Sequence, residues 1–325
     1  MRILFVTATR IGDAVLSTGL IDHLIRRHPG AAVTVVCGPA AVGLFEAMPG
    51  RERVIAFPKR RFGLHWLGLW RELAGTAWDI AVDLRGSALT LALAARQRHI
   101  MRGGRDGRHR LAALGAVLGL DPPPLPVAWT TPAQVARASA LIPPGAPVIG
   151  LGPTANWRGK LWDADRFVAL FDRLAAADGP LPAARAAVFA GPGEAERAMA
   201  APVLDALPRE RTIDLAGKLT LAEAAAALAR CSIYIGNDSG LMHLAAAAGA
   251  PTLGLFGPSP PEEYAPQGRC AAFVRTPETM AELIARPGYD HRTTPSLMGS
   301  LTVEAAFAGA AALLARLAQR EAAPS

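Results

Sequence analysis

The residues best placed to do chemistry are four polar side chains in one short turn and the start of the segment after it. They are Asn237, Asp238, Ser239 and His243. An apolar, β-prone segment precedes the turn at 232–235, and an Ala- and Leu-rich segment follows it at 241–248. A strand–turn–helix unit directs backbone N–H groups and the positive end of the helix dipole beyond the strand. This pattern predicts a site for a phosphorylated ligand such as a nucleotide.

The same turn also has a purely structural interpretation. Glycine-rich turns between strand and helix occur throughout α/β proteins, and most of them bind no ligand. A lone histidine such as His243 near the start of a helix is commonly a packing residue. The number of polar groups in one turn favours binding, but turn chemistry alone leaves both interpretations open.

Composition predicts a folded protein of two domains. The chain has 325 residues, of which 51% are hydrophobic and 19% charged. Its three cysteines form an odd set without metal-type spacing, which indicates a reducing compartment. No apolar segment approaches the roughly 20 residues that span a bilayer, and the N-terminus does not resemble a signal peptide. We therefore expect a cytoplasmic protein.

Positive charge is concentrated in the first half of the chain. Residues 1–145 contain 18 Lys and Arg against 9 Asp and Glu, whereas the remainder contains 16 against 18. The basic residues cluster at 59–61 and 96–110. Such a surface favours an anionic lipid or membrane, and a solvated basic face is the alternative. Nucleic acid is disfavoured because the clusters lack interleaved aromatic residues and any recognisable binding motif.

Strand and helix patterns alternate along the whole chain and predict parallel sheets covered on both faces. In the first half, strands are expected at 2–7, 32–37, 54–57 and 78–85, and helices at 14–27, 40–48, 63–74, 87–95 and 110–118. In the second half, strands are expected at 148–151, 186–190, 212–215, 232–235 and 252–256, and helices at 165–177, 194–207, 221–230, 241–248 and 303–320. The Pro-rich segment 143–147 is the clearest interruption, which predicts domains at 1–145 and 146–325.

Four segments of the chain resemble those of the family 9 glycosyltransferases, the lipopolysaccharide heptosyltransferases and their relatives. They are 11–13 (Ile-Gly-Asp), 78–86, 157–162 and 236–244 with 255–258. The resemblance runs nearly end to end, and segment 236–244 is the most specific. It implies the GT-B fold, with two doubly wound, Rossmann-like parallel-sheet domains facing a cleft and a C-terminal helix that crosses back to the first domain. The first domain would bind the acceptor and the second a nucleotide sugar.

The resemblance also implies roles for individual residues. Asp13 would be the general base that takes the proton of the acceptor hydroxyl. Taken alone, Asp13 fits equally well as the N-cap of a helix that starts at Ala14. Lys160 would lie near the donor diphosphate and stabilise the charge of the leaving group, without a metal or a cofactor. The expected substrate-binding residues are Thr9, Arg10, Gly12, Thr154, Asn156, Asn237, Asp238, Ser239, Gly240, Leu241 and His243.

Within that set, charge separates the roles. Asp238 would bind sugar hydroxyls, because it and phosphate are both negative. Ser239 and the backbone N–H groups after it would bind the phosphates, supported by His243. The chain departs from the family pattern at 7–10, at Arg85, where glutamine is usual, and at Leu297-Met298, where Cys-Met is common.

The predicted activity is an inverting, metal-independent transfer of heptose from ADP-heptose to an anionic lipopolysaccharide core or related glycan at the cytoplasmic face of the inner membrane. The alternatives are another nucleotide sugar and a non-catalytic module that binds a sugar nucleotide or lipid. A dehydrogenase is disfavoured because 8–13 lacks the Gly-x-Gly-x-x-Gly pattern. A retaining transferase of the same fold typically carries a spaced pair of C-terminal glutamates that bind the donor. Glu262 and Glu263 are adjacent, which disfavours this alternative.

Overall fold

The chain folds into two compact units, each built on one parallel sheet. The computed structural model describes residues 1–58, 64–103 and 107–322. The first unit is Met1–Thr131 and the second is Pro132–Ser325. The predicted fold class, two α/β units with doubly wound parallel sheets, is confirmed.

The first unit contains a five-stranded parallel sheet of order β3-β2-β1-β4-β5. Its strands are β1 (Arg2–Val6), β2 (Ala32–Cys37), β3 (Arg51–Ala56), β4 (Trp78–Asp83) and β5 (Ala95–Ile100). Its helices are α1 (Ile11–Leu16), α2 (Thr18–Arg27), α3 (Leu64–Leu73) and α4 (Arg110–Ala116), with 3-10 turns at Pro39–Leu44 and Leu89–Ala92. The central strand β1 is apolar on both faces because helices cover both sides of the sheet.

Two predictions for the first unit were wrong. The helix expected at 40–48 is a 3-10 helix, and the helix expected at 87–95 is a short 3-10 turn followed by β5. Residues 96–100, the first part of the basic cluster at 96–110 and expected to lie in a loop, therefore belong to an edge strand. An edge strand of charged and polar side chains lacks the apolar alternation that identifies a strand. The basic residues at 59–61 and Arg105 lie outside the described residues.

The second unit contains a six-stranded parallel sheet of order β11-β10-β9-β6-β7-β8. Its strands are β6 (Val148–Gly152), β7 (Arg185–Val188), β8 (Thr212–Asp214), β9 (Ile233–Asn237), β10 (Thr252–Phe256) and β11 (Ala271–Arg275). Its helices are α5 (Pro132–Leu141), α6 (Ala164–Ala175), α7 (Glu194–Ala206), α8 (Leu221–Leu228), α9 (Gly240–Ala247), α10 (Pro261–Tyr264), α11 (Met280–Ile284) and α12 (Val303–Ala322). Strand β11 and helices α10 and α11 lie in a segment for which the sequence predicted no regular structure.

Helix α5, which the sequence analysis did not predict, belongs to the second unit. It packs on α8, where Arg137 and Glu223 form an ion pair of 2.8 Å and Arg230 donates to the Ile142 carbonyl. The structural division at 131/132 therefore precedes this helix, whereas the sequence-based boundary at 145/146 follows it. The Pro-rich segment 143–147 connects α5 to β6 inside the second unit.

The final helix, α12, is the one that the resemblance predicts to cross back to the first domain. Its apolar side enters the core of the second unit, where Ala306, Ala310 and Leu313 are completely buried. The helix packs on α6 and on strands β10 and β11. Within the described part of the chain, no helix is both long and apolar enough to cross a membrane.

Candidate active site

The predicted ligand-binding turn lies at the carboxyl edge of the sheet in the second unit. Strands β10, β9 and β6 are neighbours and run parallel, so the segments that follow them meet at one edge. The turn after β9 leads into α9, and the loop at 153–163 follows β6. Ligands of doubly wound sheets bind beyond this edge.

Asn237, the last residue of β9, ties the loop after β6 to the turn. Its side chain is completely buried. The amide nitrogen donates to the Pro153 carbonyl at 2.9 Å, and the amide oxygen accepts from the Trp162 backbone N–H at 3.2 Å. Both ends of the amide are therefore bonded within the protein, and direct contact with substrate stays a prediction.

Lys160 and Asp238 form an ion pair at this edge. The Lys160 Nζ lies 2.5 Å from the Asp238 Oδ2, although the residues are 78 positions apart in sequence. The two side chains are only 19% and 8% exposed. Because water screens a shielded pair poorly, the attraction is stronger than in a surface ion pair. The structure thus brings together the predicted phosphate-binding cation and the predicted sugar-binding carboxylate.

The first turn of α9 presents hydrogen-bond donors that Ser239 does not cap. Ser239 is the N-cap residue, but its side chain makes no capping hydrogen bond. The backbone N–H groups of Gly240 and Leu241 belong to the first turn, where an α-helix offers no internal acceptor. An anion beyond the strand would satisfy them and would also interact favourably with the helix dipole.

Tyr234 is a residue of this site that the sequence analysis missed. Its side chain is completely buried, and its hydroxyl faces Ser239. Neither the Tyr234 hydroxyl nor the Ser239 Oγ makes a hydrogen bond of ordinary geometry among the described residues. Burial raises the pKa of the Tyr234 hydroxyl, which keeps it protonated and able to donate.

Two glycines make room for that hydroxyl. A Cβ on Gly152 would lie 1.8 Å from the Tyr234 hydroxyl oxygen, and one on Gly236 would lie 2.6 Å from it. Gly152 and Gly236 are register partners at the ends of β6 and β9. Paired glycines at adjacent strand ends were the signal in the sequence that a large side chain crosses this position.

The other predicted residues of the second unit differ in accessibility. His243 is 4% exposed within α9, and Thr154 is 2% exposed. Asn156 lies on the same loop as Thr154 and is exposed. The sequence analysis also missed Glu196, whose carboxylate accepts from the Gly191 backbone N–H at 3.2 Å, just beyond β7. The Gly-Pro-Gly turn at 191–193 was the available signal.

In the first unit, Asp13 lies inside a helix rather than at its cap. Helix α1 begins at Ile11 with Arg10 as the N-cap, and no side chain forms a capping hydrogen bond. The N-cap interpretation of Asp13 is therefore wrong. The Asp13 side chain is 27% exposed, and its Oδ1 lies 3.8 Å from the Nε of Arg110 at the start of α4. Part of the Asp13 carboxylate is therefore accessible to solvent.

Three predicted substrate-binding residues lie next to Asp13. Arg10 is exposed, whereas Thr9 and Gly12 are half-buried. The Thr9 backbone packs closely against Gly38, where a Cβ would lie 2.4 Å from the Thr9 carbonyl oxygen. Arg110, which completes the group, was only part of a basic cluster in the sequence analysis.

The segment 78–86 forms β4 and the turn that follows it. The Asp83 side chain is completely buried and accepts from the backbone N–H of Arg85 at 2.9 Å and the Ser87 hydroxyl at 2.5 Å. Arg85 lies over the rings of Phe57 and Trp66. Burial lowers the pKa of the Arg85 guanidinium, and Asp83 opposes that shift.

The described residues contain no group of three or more His, Cys, Asp or Glu side chains placed to hold a metal ion. All three cysteines are free. Burial raises the pKa of the Cys37 and Cys231 thiols to about 12 each, so neither is a ready thiolate nucleophile.

Comparison with solved structures agrees with this architecture. The glycosyl transferase family 9 protein of Veillonella parvula DSM 2008 superimposes with a TM-score of 0.76 and 23% identity, covering 97% of both chains. The Escherichia coli ADP-heptose LPS heptosyltransferase II gives a TM-score of 0.74 and 23% identity, covering 99% of this chain and all of the other. The chain thus shares the GT-B fold of these structures.

Sequence comparison extends the agreement beyond the fold. The lipooligosaccharide heptosyltransferase 2 of Haemophilus influenzae is 26% identical over 315 residues, covering 85% of this chain and 88% of the relative. Residues 111–284 match the family model of glycosyltransferase family 9 (heptosyltransferase), which is more than half of the chain. This protein is a glycosyltransferase and belongs to family 9, the heptosyltransferase family.

Proposed function

We propose that the protein is an inverting, metal-independent glycosyltransferase that moves heptose from ADP-heptose to a lipopolysaccharide core or related glycan acceptor. The shielded Lys160–Asp238 pair beside the start of α9 carries this proposal. It supplies a cation for a diphosphate and a carboxylate for sugar hydroxyls at one edge of the sheet. The relatives named for heptose transfer support the choice of sugar.

Donor binding would use the second unit. The diphosphate would accept hydrogen bonds from Ser239 and from the N–H groups of Gly240 and Leu241. Lys160 would exchange its carboxylate partner for a phosphate oxygen. Asp238 would then be free to accept hydrogen bonds from the sugar hydroxyls, and Glu196 offers a second carboxylate for hydroxyl groups at the β7 end.

The chemical step would form one bond and break another at the anomeric carbon. The acceptor oxygen attacks that carbon, the bond to the diphosphate oxygen breaks, and the configuration inverts. Asp13 takes the acceptor proton. Negative charge grows on the departing ADP, and the Lys160 ammonium stabilises it in the role that a metal ion fills elsewhere.

The acceptor would be anionic and membrane-associated. The first unit contains 17 Lys and Arg against 9 Asp and Glu, whereas the second contains 17 against 18. Excess positive charge in the first unit favours a phosphorylated glycolipid and peripheral contact with the cytoplasmic face of the inner membrane. We assign acceptor binding to the first unit on this basis.

Calorimetric titration with ADP, GDP and UDP, each with and without EDTA, tests the donor. We expect ADP to bind most tightly and EDTA to leave its affinity unchanged. Lys160→Ala should weaken ADP binding about tenfold or more, because a charge-assisted contact is lost. Lys218→Ala is the matched control, since Lys218 forms an ion pair with Asp214 at β8.

Other outcomes would replace the proposal. A preference for GDP or UDP would keep the transferase and discard heptose, whereas binding of none of the three would favour the non-catalytic module. A product with the anomeric configuration of the donor, measured by NMR, would exclude the inverting mechanism.

A further inference from the structure

Helix α3 and the 3-10 turn at Leu89–Ala92 bring three large apolar side chains to the surface of the first unit. Leu67 is 48% exposed, Trp70 is 38% exposed and Leu91 is 66% exposed. Leu67 and Trp70 are three residues apart and share one side of the helix. The Trp70 indole donates to the Ala92 carbonyl at 2.9 Å, which holds it against the turn that carries Leu91. We call these three residues the apolar patch.

The apolar patch is separate from the core beneath it. Leu69 and Leu73 form the inner side of α3 and are 4% and 1% exposed. They pack with Ala81 of β4 against the sheet. The helix therefore has an inner apolar side that the fold buries and a second apolar side left at the surface.

Basic residues border the apolar patch. Arg71 follows Trp70 on α3, one helical turn after Leu67. In β5, Arg98 pairs in register with Ala81, so its side chain lies on the α3 side of the sheet. Arg98 donates to the Thr90 and Leu93 carbonyls at 3.0 and 2.6 Å, and so braces the turn that carries Leu91.

The acidic residues nearby do not cancel this charge. Arg96, two residues before Arg98 on the same side of the strand, has a side chain that is 84% exposed and lies 3.7 Å from Asp79. Glu72 is paired with Arg53. The surface around the apolar patch therefore carries more positive than negative charge. It has four arginines against two carboxylates, namely Arg53, Arg71, Arg96 and Arg98 against Glu72 and Asp79.

We infer that the apolar patch docks the first unit on an anionic bilayer. Tryptophan and leucine beside arginines suit a membrane interface, where apolar side chains enter the acyl boundary and the cations meet lipid headgroups. A second copy of the chain would bring the same basic border against this one, and like charges disfavour that contact. The inference rests on the proposed function, because a glycolipid acceptor places the reaction at a membrane.

The second unit supplies the matched control. Val135 of α5 is 47% exposed, about as much as Leu67, and lies in a unit without excess positive charge. Its replacement by aspartate changes hydrophobicity and charge as Leu67→Asp does, but away from the apolar patch.

Vesicle co-sedimentation of the full chain tests the inference. We expect binding to vesicles of phosphatidylcholine with phosphatidylglycerol, and weaker binding to phosphatidylcholine alone or at high salt. Leu67→Asp, which Val135→Asp matches, should lower the partition coefficient several-fold, and adding Leu91→Asp should lower it about tenfold or more, because two apolar contacts are then lost. Val135→Asp should leave it unchanged, and circular dichroism of each variant checks folding.

Equal partitioning of the patch variant and the wild type would overturn the inference, as would an equal loss for Val135→Asp. Conversion of a dimer into a monomer by the patch substitutions, with vesicle binding retained, would show an interface between copies instead. ADP titration of the same proteins separates the two proposals. Patch-dependent vesicle binding without ADP binding would reject the donor proposal and leave this inference standing.

Discussion

The two units present their key carboxylates in equivalent strand–turn–helix segments but hold them very differently. After β9, Asp238 is 8% exposed and lies 2.5 Å from Lys160. After β1, Asp13 is 27% exposed and lies 3.8 Å from Arg110. In the second unit, Asn237 at the end of β9 ties the turn to the loop after β6, and the carboxylate is shielded, whereas the Asp13 carboxylate in the first unit is more exposed.

This difference fits the different chemical roles that we propose for the two carboxylates. A site for a diphosphate gains from donors fixed before the ligand arrives, because no reorganisation is then needed when charge develops. A general base must instead remain accessible to an incoming hydroxyl. The comparison therefore predicts that changes after β1 affect turnover, whereas changes after β9 affect donor affinity and stability.

The largest expected effect is that of Asp13→Asn on turnover. Loss of the base should lower kcat about a hundredfold or more, while ADP affinity by calorimetry stays unchanged. The control is Asp22→Asn in α2, which removes a surface ion pair with Arg26. Turnover within a few-fold of wild type would remove Asp13 from the mechanism and end the functional contrast between the two turns.

Asn237→Ala should produce a smaller effect of another kind. Two buried hydrogen bonds to the 153–162 loop are lost, so we expect the free energy of unfolding to fall by about 1–3 kcal/mol. ADP affinity should also fall, because the loop that carries Lys160 is no longer tied to β9. Chemical denaturation and calorimetry measure the two effects.

Thr252→Ala offers a control for that experiment, since Thr252 is equally buried and donates to the Ala250 carbonyl at 2.8 Å, at the start of β10 rather than in the 153–162 loop. An Asn237→Ala protein with lower stability but unchanged ADP affinity would show that the tie does not position Lys160. The turn after β9 would then be no more rigidly arranged for its ligand than the segment after β1.

Sequence patterns predicted the central strands and the turns beyond them, but they missed two of the four edge strands, β5 and β11. Strands β1, β9 and β10 are apolar on both faces and followed by polar turns. Strands β5 and β11 lie at sheet edges and are only partly buried, so their apolar signal is weak. A signal that depends on burial weakens where burial is partial, and the charged and polar residues of β5 removed it there.

The site shows the same limit for a different reason. Lys160 and Asp238 could be named from their segments, but their ion pair could not, because 78 residues separate them and only the order of β6 and β9 brings them together. The sequence did not single out Tyr234 because it lies inside β9, whose apolar pattern is that of a buried core strand. Its hydroxyl reaches the site across two glycines, which is a fact of strand register.

Tyr234→Phe gives the smallest expected effect and the sharpest test of the turn after β9. The substitution keeps the ring and removes a buried hydroxyl that makes no hydrogen bond of ordinary geometry among the described residues. We therefore expect the free energy of unfolding to stay the same or rise by up to about 1 kcal/mol. We also expect ADP affinity to fall a few-fold, because the hydroxyl faces Ser239 and would support its contact with phosphate.

A rise in the free energy of unfolding together with a fall in ADP affinity would show that the Tyr234 hydroxyl serves the ligand rather than the fold. Tyr289→Phe is the control, since Tyr289 packs edge-on against Trp157, away from Ser239. A Tyr234→Phe protein that loses stability would show that the hydroxyl is satisfied in the folded protein without ligand. A gain in stability with full ADP affinity would mean that the hydroxyl serves neither purpose, and the turn after β9 would then owe its order to Asn237 and the Lys160–Asp238 pair alone.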